Sequence, residues 1–138
     1  MTMPKFDSIQ IGDSATLEKV IRENDIEIFS ELTGDKNPLH MDENFVKKTK
    51  FGARIAHGML TSSFISTLIG MDLPGKGSVI TSINLDFRKP VFLGDTLLTS
   101  IEVIKKIPLS KQVLIRTAIN NQRSEIVVSG TVKSICPE

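Results

Sequence analysis

Ala56-His-Gly-Met-Leu-Thr-Ser-Ser-Phe-Ile-Ser-Thr-Leu-Ile-Gly70 is the stretch that says most about the fold of this chain. Nearly every position in it is apolar or small, so no polar face can be assigned to water. The pattern predicts a helix that is buried all round. The glycines and hydroxyl residues that interrupt the stretch argue against a helix that spans a lipid bilayer.

Four strand-like segments follow this helix toward the carboxyl terminus. Residues 82–88 alternate in polarity, with Ile83, Leu85 and Phe87 on one face. The other three segments lie at residues 97–104, 112–120 and 126–133, and turn-forming residues separate them. Helices followed by antiparallel strands are typical of an α+β fold. We therefore expect one domain over residues 1–138, with an antiparallel sheet curled around the long apolar helix.

The chain before the apolar helix shows a strand and two further helices. Residues 16–22 alternate weakly and are predicted to form the first strand. Asn24 with Glu27 fits a capping box at the start of a helix, and Gly34 is expected to end that helix. Asp42 is suited to cap a second, short helix.

Composition and charge limit the domain count, the binding partners and the cellular location that can be expected. The 138 residues suffice for one domain with a core, and the net charge is +1. The lysines and arginines are scattered along the sequence, so they predict no basic surface that would bind nucleic acid. The single cysteine, Cys136, and an amino terminus without the apolar stretch of a secretory signal predict a cytoplasmic protein. Because Trp and Tyr are absent, any pocket is expected to be aliphatic and lined by Phe.

Asp35 and His40 are the candidate catalytic residues, five positions apart in Gly34-Asp-Lys-Asn-Pro-Leu-His40. Pro38 stiffens this predicted turn, which can hold both side chains toward one point. Addition of water to an alkene conjugated with a thioester needs a base for water and a proton for C2. Such a pair could share both tasks on one water. The alternative is that Asp35 only bonds nearby backbone amides, as is common in turns.

Gly58, at the start of the apolar helix, is a candidate substrate-binding residue. A glycine lets a ligand approach the backbone closely, and its amide lies at the positive end of the helix dipole. That position suits a thioester oxygen on which negative charge develops. The alternative is that Gly58 only relieves packing and that His57 is an ordinary residue at a helix start.

Four segments, in order and at compatible spacing, carry a resemblance to a known family. They are Asp35-x-Asn-Pro-Leu-His40, His57-Gly-Met59, Leu73-Pro-Gly-Lys-Gly77 and Pro90-Val-x-x-Gly-Asp95. Together they resemble the MaoC-like family, above all the (R)-specific enoyl-CoA hydratases, or hydratase 2, including those that supply polyhydroxyalkanoate synthesis. The resemblance covers almost the whole chain.

The resemblance implies a hot dog fold, a homodimer and hydration of trans-2-enoyl-CoA to (R)-3-hydroxyacyl-CoA without a cofactor. It also implies that Asp35 and His40 are catalytic, that the Gly58 amide binds the thioester carbonyl and that Ser66 helps to form the substrate site. Three alternatives stay open: a hot dog thioesterase, a non-catalytic acyl-thioester binding module, and a dehydratase of acyl-carrier-protein substrates.

Other chemistries find little support in the sequence. The loop Gly70 to Gly77 resembles a phosphate-binding P-loop, but Gly77 stands where that motif needs Ser or Thr, and the loop follows a helix. Two histidines 17 positions apart and one distant cysteine argue against a zinc site. No metal or cofactor is therefore expected.

Overall fold

One antiparallel sheet forms the body of the fold. The computed structural model describes residues 5–138. The sheet order is β1-β3-β4-β5-β2, from strands β1 (Ser14–Val20), β2 (Val79–Phe87), β3 (Thr96–Ile107), β4 (Gln112–Asn120) and β5 (Ile126–Ile135). All five predicted strands are present. The first lies two residues earlier than predicted, and β3 and β5 extend beyond their predicted ends.

The longest helix packs on the inner face of this sheet. The helices are α1 (Lys5–Ser8), α2 (Glu23–Thr33), α3 (Pro38–Met41), α4 (Glu43–Val46) and α5 (Gly58–Met71). α5 contacts β1, β2 and β3, and it buries Leu60, Ile65, Leu68 and Ile69 in the core. The predicted α+β class and the hot dog arrangement, a sheet wrapped around a helix, are confirmed. Within residues 5–138, no helix is long and apolar enough to cross a membrane.

The prediction that the apolar helix is buried all round is wrong for this chain. Met59 is 67% exposed, and Ser63, Ser66 and Thr67 are also exposed. Positions three and four apart lie on the same side of a helix, so these residues form one uncovered face. The pattern could not reveal this face, because small hydroxyl residues are compatible with both a buried and an exposed position.

Of the two capping predictions for α2, the one for its start is wrong and the one for its end is confirmed. Helix α2 starts at Glu23 and its N-cap is Arg22, so the predicted capping box at Asn24 is wrong. The carboxylate of Asp25 accepts a hydrogen bond of 2.9 Å from the backbone N–H of Arg22. At the other end, Gly34 terminates α2 in the left-handed conformation, with φ 80°, as predicted.

Strand β2 is an edge strand with an uncovered apolar face. Ile83 and Phe87 are 51% and 52% exposed. Their partners across the strand pair are Val132 and Val128, which are both buried. Ile83 and Phe87 therefore lie on the inner face of the sheet, as the alternation predicted, but the helix covers only part of that face.

Candidate active site

The segment between α2 and α3 brings Asp35 and His40 to one place. Gly34 turns the chain out of α2, and Asn37 has an extended conformation (ψ 128°). Pro38 then begins α3, and the side chain of Asn37 caps this short helix. His40 thus lies on a single helical turn, where the sequence predicted a turn without a helix. The short helix fixes His40 relative to the loop that carries Asp35.

His40 has a defined tautomer in this site. It is 9% exposed, and its Nδ1 lies 2.7 Å from the carbonyl oxygen of Ile55. A carbonyl can only accept, so Nδ1 carries the hydrogen and Nε2 keeps a lone pair. Burial is the largest influence on His40 and lowers its pKa below the ordinary value of 6.5. The hydrogen bond to the Ile55 carbonyl comes next and raises the pKa, His57 then lowers it, and Asp35 raises it least. Neutral His40 therefore offers a base at Nε2.

Asp35 is exposed and takes part in local turn chemistry as well. Its Oδ1 accepts a hydrogen bond of 3.2 Å from the N–H of Asn37, which leaves the other carboxylate oxygen available. Ligand atoms of Asp35 and His40 lie within 4.8 Å of each other. Two hydrogen bonds of about 2.8 Å that meet at a tetrahedral water span roughly 4.6 Å. One water can therefore bridge the pair.

Gly58 presents a free backbone amide next to this pair. It is the first residue of α5, and no side chain caps that helix end. An N–H at this position has no acceptor within the helix and lies at the positive end of its dipole. The amide is therefore suited to an oxygen that gains negative charge.

Two clefts meet at His40 and Gly58. The first, the Phe87 cleft, has a volume of about 280 Å³ and a wall that includes Phe51, Ile55, Thr61, Phe87, Pro90, Val91 and Val128. The second, the Asp35 cleft, has a volume of about 350 Å³ and is lined by Phe29, Thr33, Asp35, His57 and Met59. The wall of the Phe87 cleft agrees with the prediction of an aliphatic, Phe-lined pocket.

Ser66 does not join this site within one chain. It lies eight residues beyond Gly58 on α5, which corresponds to about 12 Å along a helix axis. Its side chain is exposed and lines a separate cavity with Ile69, Gly70 and Ser78. The structure thus brings together three of the four predicted site residues, and the role of Ser66 stays a prediction.

The fold places His57 in the site, although no role was predicted for it from the sequence. His57 is 2% exposed, and its ring stacks on His40 with centroids 3.9 Å apart and 33° between the planes. The two histidines and Asp35 form a group of metal-binding side chains. One nitrogen of each ring faces a backbone carbonyl, Nδ1 of His40 that of Ile55 and Nε2 of His57 that of Asp35, so each imidazole has one nitrogen left for a ligand. The adjacency of His57 to Gly58 was the only sequence signal for its position.

Arg54 is a second residue that sequence reasoning missed. It is 7% exposed, and its Nε donates a 2.5 Å hydrogen bond to the carbonyl of His40. The guanidinium also pairs with Glu23 at 2.7 Å and with Glu43 at 3.8 Å. Arg54 therefore ties the starts of α2 and α4 to the backbone of His40. No motif in the sequence pointed to it.

Comparisons with known proteins agree with this architecture. Residues 8–123 match the family model described as MaoC like domain. An (R)-specific enoyl-CoA hydratase from Rhodospirillum rubrum is 39% identical over 132 residues, which cover 96% of this chain and 91% of that protein. The unliganded R-hydratase PhaJ1 from Pseudomonas aeruginosa superposes with a TM-score of 0.91 at 37% identity, covering 96% of this chain and 85% of its own.

A second solved structure has the same degree of similarity. It is the (R)-hydratase from A. caviae involved in PHA biosynthesis, with a TM-score of 0.91 and 35% identity. The match covers 94% of this chain and 98% of that one. The similarity extends over whole chains, so it concerns the complete fold and not a shared fragment.

Proposed function

The chain belongs to the MaoC-like domain family, and we propose that it reversibly hydrates trans-2-enoyl-CoA to (R)-3-hydroxyacyl-CoA, with Asp35 and His40 as the catalytic pair. The observation that carries the proposal is the placement of these two side chains, within 4.8 Å of each other, beside the free amide of Gly58. The (R)-specific hydratases among its relatives support the substrate and the stereochemistry.

The reaction divides between the two side chains and one water. Asp35 and Nε2 of His40 hold the water, and Nε2 takes one of its protons while the water oxygen forms a bond to C3 of the enoyl thioester. The C2–C3 double bond opens, and its electrons move toward the thioester carbonyl. The pair then returns a proton to C2. The sum is addition of one water, so the enzyme needs no oxidant or reductant.

Gly58 supports the charge that develops during this addition. The amide at the start of α5 donates to the thioester oxygen, which gains enolate character in the transition state. Because the amide is held in place by the helix, it needs no reorganisation when the charge appears. Its contribution is therefore larger in the transition state than in the bound substrate.

The carrier of the acyl group contacts the mouth of the Phe87 cleft. Arg88 and Lys89 line that cleft and are exposed, and cations at this position attract the phosphates of coenzyme A. Lys89 is partly neutralised by Glu125. An acyl carrier protein also brings a phosphate on its prosthetic group, so these cations fit either carrier.

The deciding experiment is a spectrophotometric assay with crotonyl-CoA and longer 2-enoyl-CoAs. We expect the conjugated enoyl absorbance to fall without release of free thiol, whereas a thioesterase releases thiol and a binding module changes neither signal. Cys136 is the one cysteine of the chain and is 4% exposed, and burial raises the pKa of its thiol. A thiol reagent therefore detects coenzyme A over a low protein background.

The same assay with a crotonyl-acyl carrier protein tests the carrier. We expect a higher kcat/KM with the CoA thioester. A higher value with the protein carrier would assign the chain to acyl-carrier-protein dehydration by the same chemistry. We also propose that the enzyme acts as a cytoplasmic homodimer, in which Ser66 contributes to the acyl-binding region.

A further inference from the structure

His57 is a buried polar side chain that the proposed mechanism does not use. It is one of two histidines in the chain, and its ring lies between those of His40 and Phe29, with centroid distances of 3.9 Å and 4.8 Å. Buried polar atoms usually have hydrogen-bond partners. Nδ1 of His57 is buried and has none among residues 5–138.

The contacts of His57 define which of its ring nitrogens carries the hydrogen. Its Nε2 lies 3.0 Å from the backbone carbonyl of Asp35. That oxygen can only accept, so Nε2 carries the hydrogen and Nδ1 the lone pair. Because Nδ1 has no partner among residues 5–138, the bond from Nε2 to the Asp35 carbonyl is the hydrogen bond that the His57 ring makes there.

The same contacts restrain both members of the catalytic pair. Asp35 lies on an exposed loop, and the hydrogen bonds from His57 and from the hydroxyl of Ser30 to its carbonyl fix its backbone. The stacked ring of His57 limits rotation of the His40 imidazole, whose Nδ1 is already held by Ile55. His57 thus contacts Asp35 and His40 and immediately precedes Gly58.

We propose that His57 is a positioning residue, which holds Asp35 and His40 at the separation of one bridging water. This inference rests on the proposed catalytic pair. A misplacement of about 1 Å can reduce a rate by roughly 10²-fold, so the contribution of His57 is measurable although it does not touch the reacting atoms.

Two variants test separately the hydrogen bond that His57 donates to Asp35 and the stacking of its ring on His40. His57→Phe keeps the stacking ring but has no donor for the Asp35 carbonyl, and we expect kcat to fall on the order of 10²-fold with little change in KM. His57→Gln keeps a terminal N–H donor, and we expect it to retain activity within about tenfold of wild type. Ile65→Val, a conservative change in the buried core on the same helix, controls for a loss of stability and should leave kcat per folded protomer unchanged.

NMR titration of the imidazole protons adds a measurement that does not depend on turnover. Because the chain has two histidines, removal of His57 assigns both signals at once. We expect the signal of His40 in the wild type to titrate with a midpoint below 6.5, because burial lowers its pKa. In His57→Phe, the His40 midpoint should move upward, because a neighbour that lowers it is gone.

The outcomes distinguish this inference from the proposed function. Full kcat in folded His57→Phe, or a His40 midpoint that does not move in that variant, overturns the role of His57. If Asp35→Asn and His40→Gln are inactive in the same series, the catalytic pair stands and only the positioning role is lost. If those two variants keep full activity, the pair itself is wrong.

Discussion

At the scale of single residues, Asp35 and His40 are close because of two local backbone features that follow one another along the chain. Gly34 ends α2 in a conformation that favours glycine, with φ 80°. Asn37 and Pro38 then start a new helical turn after a three-residue gap. Asp35 projects from the gap and His40 from the turn. Local backbone geometry therefore brings the two residues near each other, and the hydrogen bonds from Ser30 and His57 to the Asp35 carbonyl restrain their separation.

We expect Asp35→Asn and His40→Gln each to fold normally and to lose hydration on the order of 10²-fold or more, because each removes one side of the acid–base pair. Both residues act on one water, so the double variant should lose little more than either single one. Turnover of crotonyl-CoA by the purified proteins measures this, with circular dichroism as the control for folding. Near-wild-type turnover in either variant would remove that residue from the mechanism.

The pH profile provides a second test at this scale. Burial, and then His57, lower the pKa of His40 below 6.5, so the neutral form persists to more acidic pH than for a free imidazole. If Nε2 is the base, log kcat/KM falls as pH decreases through that lowered pKa. We expect the acid limb of the profile to lie below 6.5. An acid limb at or above this value, in protein that is still folded, would contradict the assignment.

The two histidines show how much of the site the sequence could reveal. The Asp35 and His40 motif lies within six consecutive positions, and turn chemistry is a short-range effect that can be inferred from residue types. The contact between His40 and His57 spans 17 positions and depends on where α5 meets the α3 segment. Arg54 likewise gains its role only through Glu23 and Glu43, which the fold brings to it. Periodicity and capping rules carry no information on such contacts.

At the scale of elements, the start of α5 and the end of β2 meet beside His40, at the wall of the Phe87 cleft. A Cβ atom at Gly58 would lie 2.9 Å from the nearest ring carbon of Phe87. Phe87 also lines the cleft beside His40. A larger residue at Gly58 therefore meets the Phe87 ring before it meets a substrate, which the sequence could not predict.

Gly58→Ala should reduce turnover moderately, because the added methyl pushes the Phe87 ring into the cleft, and Gly58→Val should reduce it further. Melting temperatures should not fall much, since Ala and Val are both better helix formers than Gly and the Phe87 ring, which is 52% exposed, has solvent on one side. Turnover per folded protomer and melting temperature should be measured together. Gly70→Ala is the matched control, because a Cβ there has no neighbour within 4 Å.

The double variant Gly58→Ala with Phe87→Leu then shows whether the displaced Phe87 ring causes the loss of turnover. If the ring is what blocks the cleft, the smaller side chain at position 87 should restore much of the activity. If activity stays low, the methyl crowds the thioester directly. A Gly58→Ala protein that melts early but is fully active when folded would show that Gly58 serves packing alone.

Periodicity predicted the five strands and their apolar faces, but it did not predict where each strand lies in the sheet. The inner strand β4 was predicted with its observed ends, because Val113, Ile115 and Ile119 alternate and are all buried. Ile83 and Phe87 of β2 alternate in the same way yet remain half exposed. Alternation states which face is apolar, but whether a strand is at the edge of the sheet depends on topology.

At the scale of the whole molecule, the two edges of the sheet differ in character. The free edge strand β1 exposes Ser14, Thr16 and Glu18 and turns its apolar residues toward the core. The other edge strand, β2, exposes Ile83 and Phe87 on its inner face. Polar or charged side chains protect an edge from pairing, whereas an apolar edge favours it. The β2 edge and the exposed face of α5 are therefore the surfaces that a second copy of the chain would cover.

We expect a homodimer in which two β2 strands pair edge to edge about a two-fold axis, which is the commonest symmetry of soluble oligomers. Analytical ultracentrifugation at micromolar concentration should give the dimer mass for the wild type. Ile83→Lys places a charge on the apolar face of β2 and should shift the protein toward monomer. Leu109→Lys is the matched control, because Leu109 is 100% exposed in the β3–β4 turn and its replacement should leave the dimer intact. A monomeric wild type with full hydratase activity, or an Ile83→Lys protein that remains dimeric, would show that the β2 edge is not the interface.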